Sequence, residues 1–376
     1  MALRYLLPGQ MRFMKEQGFD VIMISADGKE LQDVIEHEQC PHIIVPMTRK
    51  ITPWQDLKCL WQLVRIFRRE KPDIVHTHTP KAGLLGMLAA RIAGVKVRIH
   101  TVAGLPLMVA TGMKYRLLKS MEKLTYSAAT RVWPNSGSLL QYIREHRLAK
   151  ESKLDIIARG STNGINLDRF NPSATDPDVL QKIKESIQYD EGYTWLLCIG
   201  RLVKDKGIVE LVNAFVALQS GNPKLRLVLA GEYEPALDPL PEHTHHSIEN
   251  NPAIIHINWT NQVEYFMTLA DFFVFPSHRE GFPNVLLQSG AMGLPIICSH
   301  IAGNTDIVTH RQTGLIFEKG NEEQLRDCVT YAMEHRDEMK EMARRLAGII
   351  QQDYRREHIW NEILVNYRSL LNEKNN

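Results

Sequence analysis

The sequence predicts an α/β protein made of two doubly wound units, and three observations carry that reading. Short apolar runs alternate with helical periodicities along nearly the whole chain, the pattern of parallel sheets covered by helices. At 376 residues the chain exceeds what one small core holds and fits two domains. A turn-rich stretch at 160–171 separates two such alternating series.

The first series opens with helical periodicity over 3–17. A doubly wound unit normally begins with a strand whose carboxyl end feeds a ligand loop. The first strand is therefore expected to be missing, the alternative being a short strand over 2–7. Strands then fall at 20–25, 42–45, 74–78, 97–102 and 131–134. Helices fall between them at 29–38, 53–70, 82–93, 115–128 and 136–145. The second series places strands at 154–157, 195–199, 225–230, 254–257, 272–275, 296–298 and 314–317. Its helices lie at 207–219, 262–270, 285–290, 305–308, 322–334 and 336–354. A last amphipathic helix at 358–371 precedes a polar tail. The first domain is read as 1–160 and the second as 161–354.

Composition narrows the class. Hydrophobic residues at 44% and charged residues at 23% are ordinary for a soluble globular protein. No apolar run approaches the ~20 residues that span a bilayer. Five cysteines are scattered without a C-x-x-C pair. They read as idle thiols of a reducing cytoplasm rather than as a disulfide or zinc framework. The net charge of +2 hides an asymmetry: residues 1–150 hold 23 Lys and Arg against 12 Asp and Glu, and the rest is acidic. The basic part suits an anionic membrane or a phosphorylated acceptor. No basic run interleaved with aromatics appears, so nucleic acid is not an expected partner.

Two motifs carry the chemistry. In 271–295, DFFVFPSHREGFPNVLLQSGAMGLP, a strand ends at Pro276 and a loop holding Glu280 and Gly281 leads into a helix. A strand's carboxyl end meeting a helix's amino end is a ligand position in an open α/β sheet. Free N–H groups there suit a phosphate. In 199–207, IGRLVKDKG, Arg201 and Lys206 bracket a second strand-to-helix turn. A planar fork and a point charge together can neutralise a diphosphate.

With GRLVKDKG at 200–207, AGE at 230–232, PSHREGFPNVLLQSGAMGLP at 276–295 and HTHTPKAG at 76–83, the chain resembles the family 4 retaining glycosyltransferases of the GT-B fold. Within that family it is similar to the enzymes that build bacterial surface polysaccharides, such as capsule, on a lipid carrier. The resemblance implies two Rossmann-like domains facing across a cleft, with helix 358–371 packing back on the first. It implies transfer of a sugar from a nucleotide-diphosphate donor, most simply a UDP-sugar, to a hydroxyl of a lipid-linked saccharide. No cofactor and no metal are implied, and the departing diphosphate itself assists deprotonation of the acceptor. Arg201 and Lys206 would hold the diphosphate, and Glu280 would contact donor-sugar hydroxyls. Gly200, Glu232, Gly281, Phe282, Pro283 and Asn284 would line the donor. Gln288 stands where the family has the second glutamate of its E-x7-E motif. His100 matches the family's first-domain histidine against the donor sugar and diphosphate, and His78 and Lys81 fall on the acceptor side. Two other readings stay open: a sugar-nucleotide 2-epimerase, and a non-catalytic nucleotide-sugar-binding subunit.

The remaining features read more plainly. His76 alternates with His78 on one strand, so both share a face, with His76 in a supporting role. His243, His245 and His246 sit in a presumed loop without a cysteine or carboxylate at ligand spacing, against a zinc site. Asp176 and Asp178 read as solvated carboxylates. The helix at 115–128 sets Leu117, Leu118, Met121 and Leu124 on one face, flanked by Lys114, Arg116, Lys119 and Lys123. With the apolar segment before it, 103–128 reads either as a core-packing element with an exposed basic face or, the reading carried forward, as a peripheral contact with the inner face of a cell membrane.

Overall fold

The computed structural model describes residues 2–48, 51–234 and 238–375. The chain divides into two compact units, Met1–Gly164 with Arg356–Asn376, and Ile165–Arg355.

The first unit runs α1 (Ala2–Leu6), α2 (Gln10–Glu16), β1 (Met23–Ser25), α3 (Leu31–Glu38), β2 (His42–Ile44), α4 (Pro53–Glu70), β3 (Ile74–Thr77), α5 (Pro80–Ile92), β4 (Val97–Val102), α6 (Gly112–Ala128), β5 (Arg131–Pro134) and α7 (Gly137–Glu145). The opening helix of the sequence reading is two helices. Pro8 and Gly9 interrupt it, Gly9 adopting a left-handed φ of 85°. Ala2–Leu6 is helical rather than a strand, in keeping with its lack of β-branched residues. The buried Glu38 carboxylate accepts from the Gly9 and Arg12 amides at 2.6 and 3.0 Å, satisfying donors at the start of α2.

All strand pairs in this unit are parallel. β1 pairs with β2, and β3, β4 and β5 form a separate three-stranded sheet in that order. One face of the larger sheet buries Val75, Val102 and Val132 with Leu63, Val64 and Phe67 of α4 and Leu85 and Ala89 of α5. The other face buries Val97, Ile99 and Trp133 with Ile359, Ile363 and Leu364 of the C-terminal helix, which belongs to this unit. The expected strand at 154–157 reduces to a single bridge between Leu154 and Val132. Asp155 turns its carboxylate back onto the Ile156 amide, a local bond that competes with strand pairing.

The second unit runs α8 (Pro177–Ser186), β6 (Thr194–Ile199), α9 (Ile208–Gln219), β7 (Leu225–Ala230), α10 (Glu242–Asn250), β8 (Ile254–Ile257), α11 (Val263–Leu269), β9 (Phe272–Phe275), α12 (Asn284–Ala291), β10 (Ile296–Ser299), β11 (Leu315–Phe317), α13 (Glu322–Glu334) and α14 (Arg336–Asp353); α15 (Arg356–Asn375) then returns to the first unit. Asp176 caps α8, its carboxylate accepting from the Asp178 and Val179 amides, so this carboxylate has a structural task. The histidines at 243, 245 and 246 lie on α10 rather than in a loop. Segment 305–308 forms turns instead of a helix, held by Asn304.

The six strands of this unit are parallel and ordered β11-β10-β9-β6-β7-β8. Read from the other edge, the third, second and first strands are followed by the fourth, fifth and sixth. The order reverses between β6 and β9, and a doubly wound sheet opens its ligand crevice at the carboxyl ends of such a pair. Both faces are buried: Leu197, Phe273 and Ile296 point to one core, and Leu196, Phe272 and Ile297 to the other. That explains why these strands read as continuous apolar runs.

Candidate active site

Both chemistry-bearing motifs leave the sheet at the reversal point. β6 ends at Ile199 and feeds Gly200–Gly207; β9 ends at Phe275 and feeds Pro276–Pro283. Gly207 has a left-handed φ of 68°, and a Cβ there would run into the Pro276 carbonyl. The two loops therefore touch through backbone, and only glycine permits it.

Further bonds stitch them together. The His278 amide donates to the Asp205 carbonyl at 2.9 Å. Arg279 pairs with the Asp205 carboxylate at 2.7 Å, and Asp238 accepts from the Asp205 amide at 2.7 Å. His278 also faces Glu210 at 2.9 Å from the first turn of α9.

On this frame Lys206 and Glu280 form an ion pair, both side chains largely covered. Ser277, fully buried, places Oγ 2.9 Å from the same carboxylate. Ser299 Oγ donates to the Ser277 carbonyl, and Asn304 Nδ2 donates to the Ser299 carbonyl at 2.9 Å. A buried polar chain thus runs from Asn304 to Glu280 and fixes where its carboxylate stands. Arg201 extends from the β6 turn to Glu234, partly exposed. Glu232 is exposed, and its carbonyl accepts from the Leu202 amide at 2.8 Å. Gly200 follows β6, its amide on the Ala230 carbonyl at 3.0 Å.

α12 begins at Asn284, with Pro283 as its cap residue. The Leu286 amide closes the first turn on the Pro283 carbonyl at 3.0 Å, and the helix starts directly after the loop that carries Glu280 and Gly281, where leading amides lack intrahelical partners. Phe282 is buried with its ring 5.7 Å from Tyr354, so its side chain anchors the loop and only its backbone is available to a ligand. Gln288 lies two turns into α12, half-buried.

The first unit presents a different site. His76 is fully engaged: Nδ1 meets Tyr367 Oη at 2.5 Å and Nε2 meets Thr101 Oγ1 at 2.7 Å. The His78 ring lies 4.1 Å from it on the same strand face, and His78 Nδ1 is buried without a partner. His100 lies on the opposite face, 2% exposed, with Nδ1 2.8 Å from Thr77 Oγ1. Gly83 of α5 covers its ring so closely that a Cβ would overlap it. Burial pulls His78 down to about 3 and His100 down to about 4, so both imidazoles are neutral near pH 7. Lys81 sits in the first turn of α5 and pairs with Asp56 of α4 at 2.6 Å, with Thr48 and Thr52 also in reach.

Sequence reasoning missed Ser277, Ser299 and Asn304, Asp205 and its partners, and Asp56. Ser277 and Asp205 stand inside the two motifs without a residue type that announces a role, Ser299, Asn304 and Asp56 lie outside them, and each is tied to the site by contacts across the fold. Among the described residues no group of three or more His, Cys, Asp or Glu is arranged to hold a metal ion. The five cysteines are free, and burial pushes Cys198 up to about 12.

A doubly wound unit with paired cationic and acidic groups at its strand reversal defines a nucleotide-type ligand site. Comparison with known proteins supplies the class. Residues 180–347 match the family "Glycosyl transferases group 1", and residues 8–160 match the "Glycosyl transferase 4-like domain". The capsular polysaccharide biosynthesis glycosyltransferase CapM of Staphylococcus aureus is 33% identical over 371 residues, covering 98% of this chain and 94% of that protein. An Escherichia coli UDP-Gal:alpha-D-GlcNAc-diphosphoundecaprenol alpha-1,3-galactosyltransferase is 26% identical over 312 residues, covering 82% of this chain and 79% of that one. Among solved structures, Anabaena HepE in complex with UDP-glucose superposes with a TM-score of 0.77 at 16% identity, covering 96% of this chain and 94% of that one.

The chain therefore belongs to the group 1 glycosyl transferases and is a glycosyltransferase with the α/β architecture of the GT-B class. The comparisons lend no support to the epimerase or the non-catalytic reading.

Proposed function

We propose that this chain transfers a sugar, with retention, from a UDP-sugar to a hydroxyl of a diphosphate-lipid-linked saccharide in surface polysaccharide synthesis. The observation that carries this reading is the meeting of Lys206 and Glu280 at the sheet's reversal point. A diphosphate arriving there finds Lys206 and Arg201, whose charges stabilise the leaving group as it departs. Lys206 has three donors, so it can keep Glu280 while taking a phosphate oxygen. Glu280, fixed by Ser277, then has acceptor positions for sugar hydroxyls. The Gly281, Phe282 and Asn284 amides and the amino end of α12 supply further donors. Gly200 and Glu232 complete the lining.

These cations supply the neutralisation that a metal gives in other transferases, and the transfer is proposed to need neither metal nor cofactor. The name of CapM supports surface polysaccharide synthesis, that of the Escherichia coli relative supports a lipid-carried acceptor and a UDP-sugar donor, and the UDP-glucose complex supports the donor class. In the first unit, His78 is the ligand-facing histidine of this reading. Its Nδ1 lacks a partner, whereas the ring of His100 is enclosed and positions Thr77 and β3. Among the described residues no helix is long and apolar enough to cross a membrane. A cytoplasmic protein held peripherally at the membrane, through 103–128 among other contacts, fits the acceptor. On α6 the exposed residues include Met113, Lys114, Arg116, Leu117, Lys123 and Leu124.

The test is incubation of the purified chain, treated with chelator, with radiolabelled UDP-sugars and a lipid-diphosphate saccharide. Labelled lipid with the anomeric configuration of the donor is expected. Epimerised nucleotide, or nucleotide binding without transfer across the donor panel, would refute the proposal.

A further inference from the structure

The helix α4 exposes a surface that glycosyl transfer does not use. Trp54 is 82% exposed, Leu57 46% and Trp61 50%. Along the same line of the helix stand Lys58, Arg65 and Arg68, all exposed. Positions 54, 58, 61, 65 and 68 are spaced i, i+4, i+7, i+11 and i+14, so they form one straight stripe. The opposite side, with Cys59, Leu63, Ile66 and Phe67, is buried in the core of the unit. The stripe is thus not a displaced core face; the core has its own.

Among the described residues the two exposed indoles make no hydrogen bond and stack on no other ring, and Lys58, Arg65 and Arg68 have no acidic partner. The acidic residues of the helix are already matched, Asp56 to Lys81 and Glu70 to Arg69. Ile44, at the end of β2, is 46% exposed and its carbonyl accepts from Gln62 of α4, which sets a further apolar side chain beside the stripe.

We propose that α4 is a docking helix that lays this stripe on an anionic lipid bilayer. Exposed tryptophans backed by lysine and arginine are the chemistry of a membrane interface, where an indole sits among headgroups and cations meet anionic phosphates. At ~1.5 Å per residue the stripe is about 21 Å of straight helix, which matches a flat surface. A second copy of the chain fits less well, because two-fold pairing sets Lys58, Arg65 and Arg68 against themselves. The position also has a use. Asp56, one turn along from Thr52, binds Lys81 in the first turn of α5, so the aromatic end of α4 is tethered to the loop that follows β3 and carries His78. A bilayer under α4 would hold a lipid-borne saccharide close to that loop. The purpose rests on the acceptor proposed above, but the surface and its test do not.

Co-sedimentation of the full chain with phosphatidylcholine vesicles, with and without phosphatidylglycerol, tests it. Binding is expected only with the anionic lipid. Trp54→Ser with Trp61→Ser, and separately Lys58→Glu with Arg65→Glu and Arg68→Glu, should each weaken partitioning by roughly tenfold or more. These side chains are exposed, so unchanged thermal unfolding is expected and checks the fold. Wild-type partitioning in both variant sets overturns the proposal. So does loss of binding confined to Glu reversals at Lys114, Arg116, Lys119 and Lys123 of α6. A dimer in sedimentation velocity that the tryptophan changes abolish, with vesicle binding intact, overturns it in favour of a second copy. Transfer to a water-soluble acceptor analogue without vesicles should persist in the α4 variants. Its absence from the wild-type chain would count against the transfer reading alone.

Discussion

The two units meet the same problem, holding polar side chains at strand ends, in opposite ways. In the second unit the groups are charged, partly exposed and paired: Lys206 with Glu280, Arg201 with Glu234, Arg279 with Asp205. In the first they are neutral and buried: His76 between Tyr367 and Thr101, His100 between Thr77 and Gly83, His78 with an unpartnered nitrogen. A charged site can exchange one of its own partners for a ligand's phosphate without first creating a buried charge. A buried neutral site cannot bind an anion this way, but it suits uncharged hydroxyls. On the function proposed above, this difference gives the diphosphate to residues 165–355 and hydroxyl recognition to His78.

The largest effect that tests this division is at Lys206. Lys206→Ala removes a phosphate cation and leaves Glu280 without its counter-charge, and kcat for transfer should fall roughly 10²–10³-fold. His78→Ala should instead raise KM for the acceptor while leaving UDP affinity unchanged. Isothermal titration with UDP beside steady-state kinetics separates the two. Equal loss of UDP binding in both variants would break the division.

A smaller effect follows from the histidines. Burial holds His78 and His100 at about 3 and 4 in the fold, and His76 well below its usual value. The unfolded chain takes up these protons near pH ~6.5. Stability from this cluster is therefore whole above about pH 6.5 and declines as pH falls toward about 4. Glu122, raised to about 7 by burial, acts in the opposite sense: it is protonated in the fold and adds stability as pH falls from about 7 to ~4.5. Three histidines outweigh one glutamate, so the first unit should soften on acidification. Amide exchange at pH 5 against pH 7.5, corrected for intrinsic rates, should show lost protection in β3 and β4. Peptides from β6 and β9 serve as the internal reference, and loss of equal size there would remove the contrast between units.

Part of this contrast was legible in the sequence. The donor motifs are contiguous, and each joins a strand to a helix, so local order alone put Arg201, Lys206 and Glu280 at strand ends. The pairing of Lys206 with Glu280 spans 74 residues and needed the strand order. The Asn304–Ser299–Ser277 chain was invisible because serine and asparagine at strand ends and in the loops beyond them look alike whether solvated or buried. His100 failed to declare its face for another reason. In a sheet covered on both sides, alternation shows which residues share a face but not which helix covers it. The α4 stripe had a readable signal, since Trp54, Lys58, Trp61, Arg65 and Arg68 oppose Cys59, Leu63, Ile66 and Phe67.

The smallest effect sharpens the donor site itself. Gln288 stands where the family has a glutamate, on the second turn of α12 and half-buried. An amide oxygen still accepts a hydrogen bond, and the NH2 adds a donor that a carboxylate lacks. A charged acceptor makes bonds roughly twice as strong as a neutral one. If ribose hydroxyls are the partners, Gln288→Glu should tighten UDP binding by a few-fold, an increment of about 1 kcal/mol or less. The gain is bounded because a new carboxylate lies on the same loop-helix element as Glu280 and beside the incoming diphosphate, and like charges oppose it. Titration of UDP against uridine separates the terms. Uridine lacks the phosphates, so it should show the fuller gain, and UDP the smaller one. Weaker binding of both ligands would mean that the glutamine donates as well as accepts, and that this site is tuned to a partner the family's glutamate could not serve.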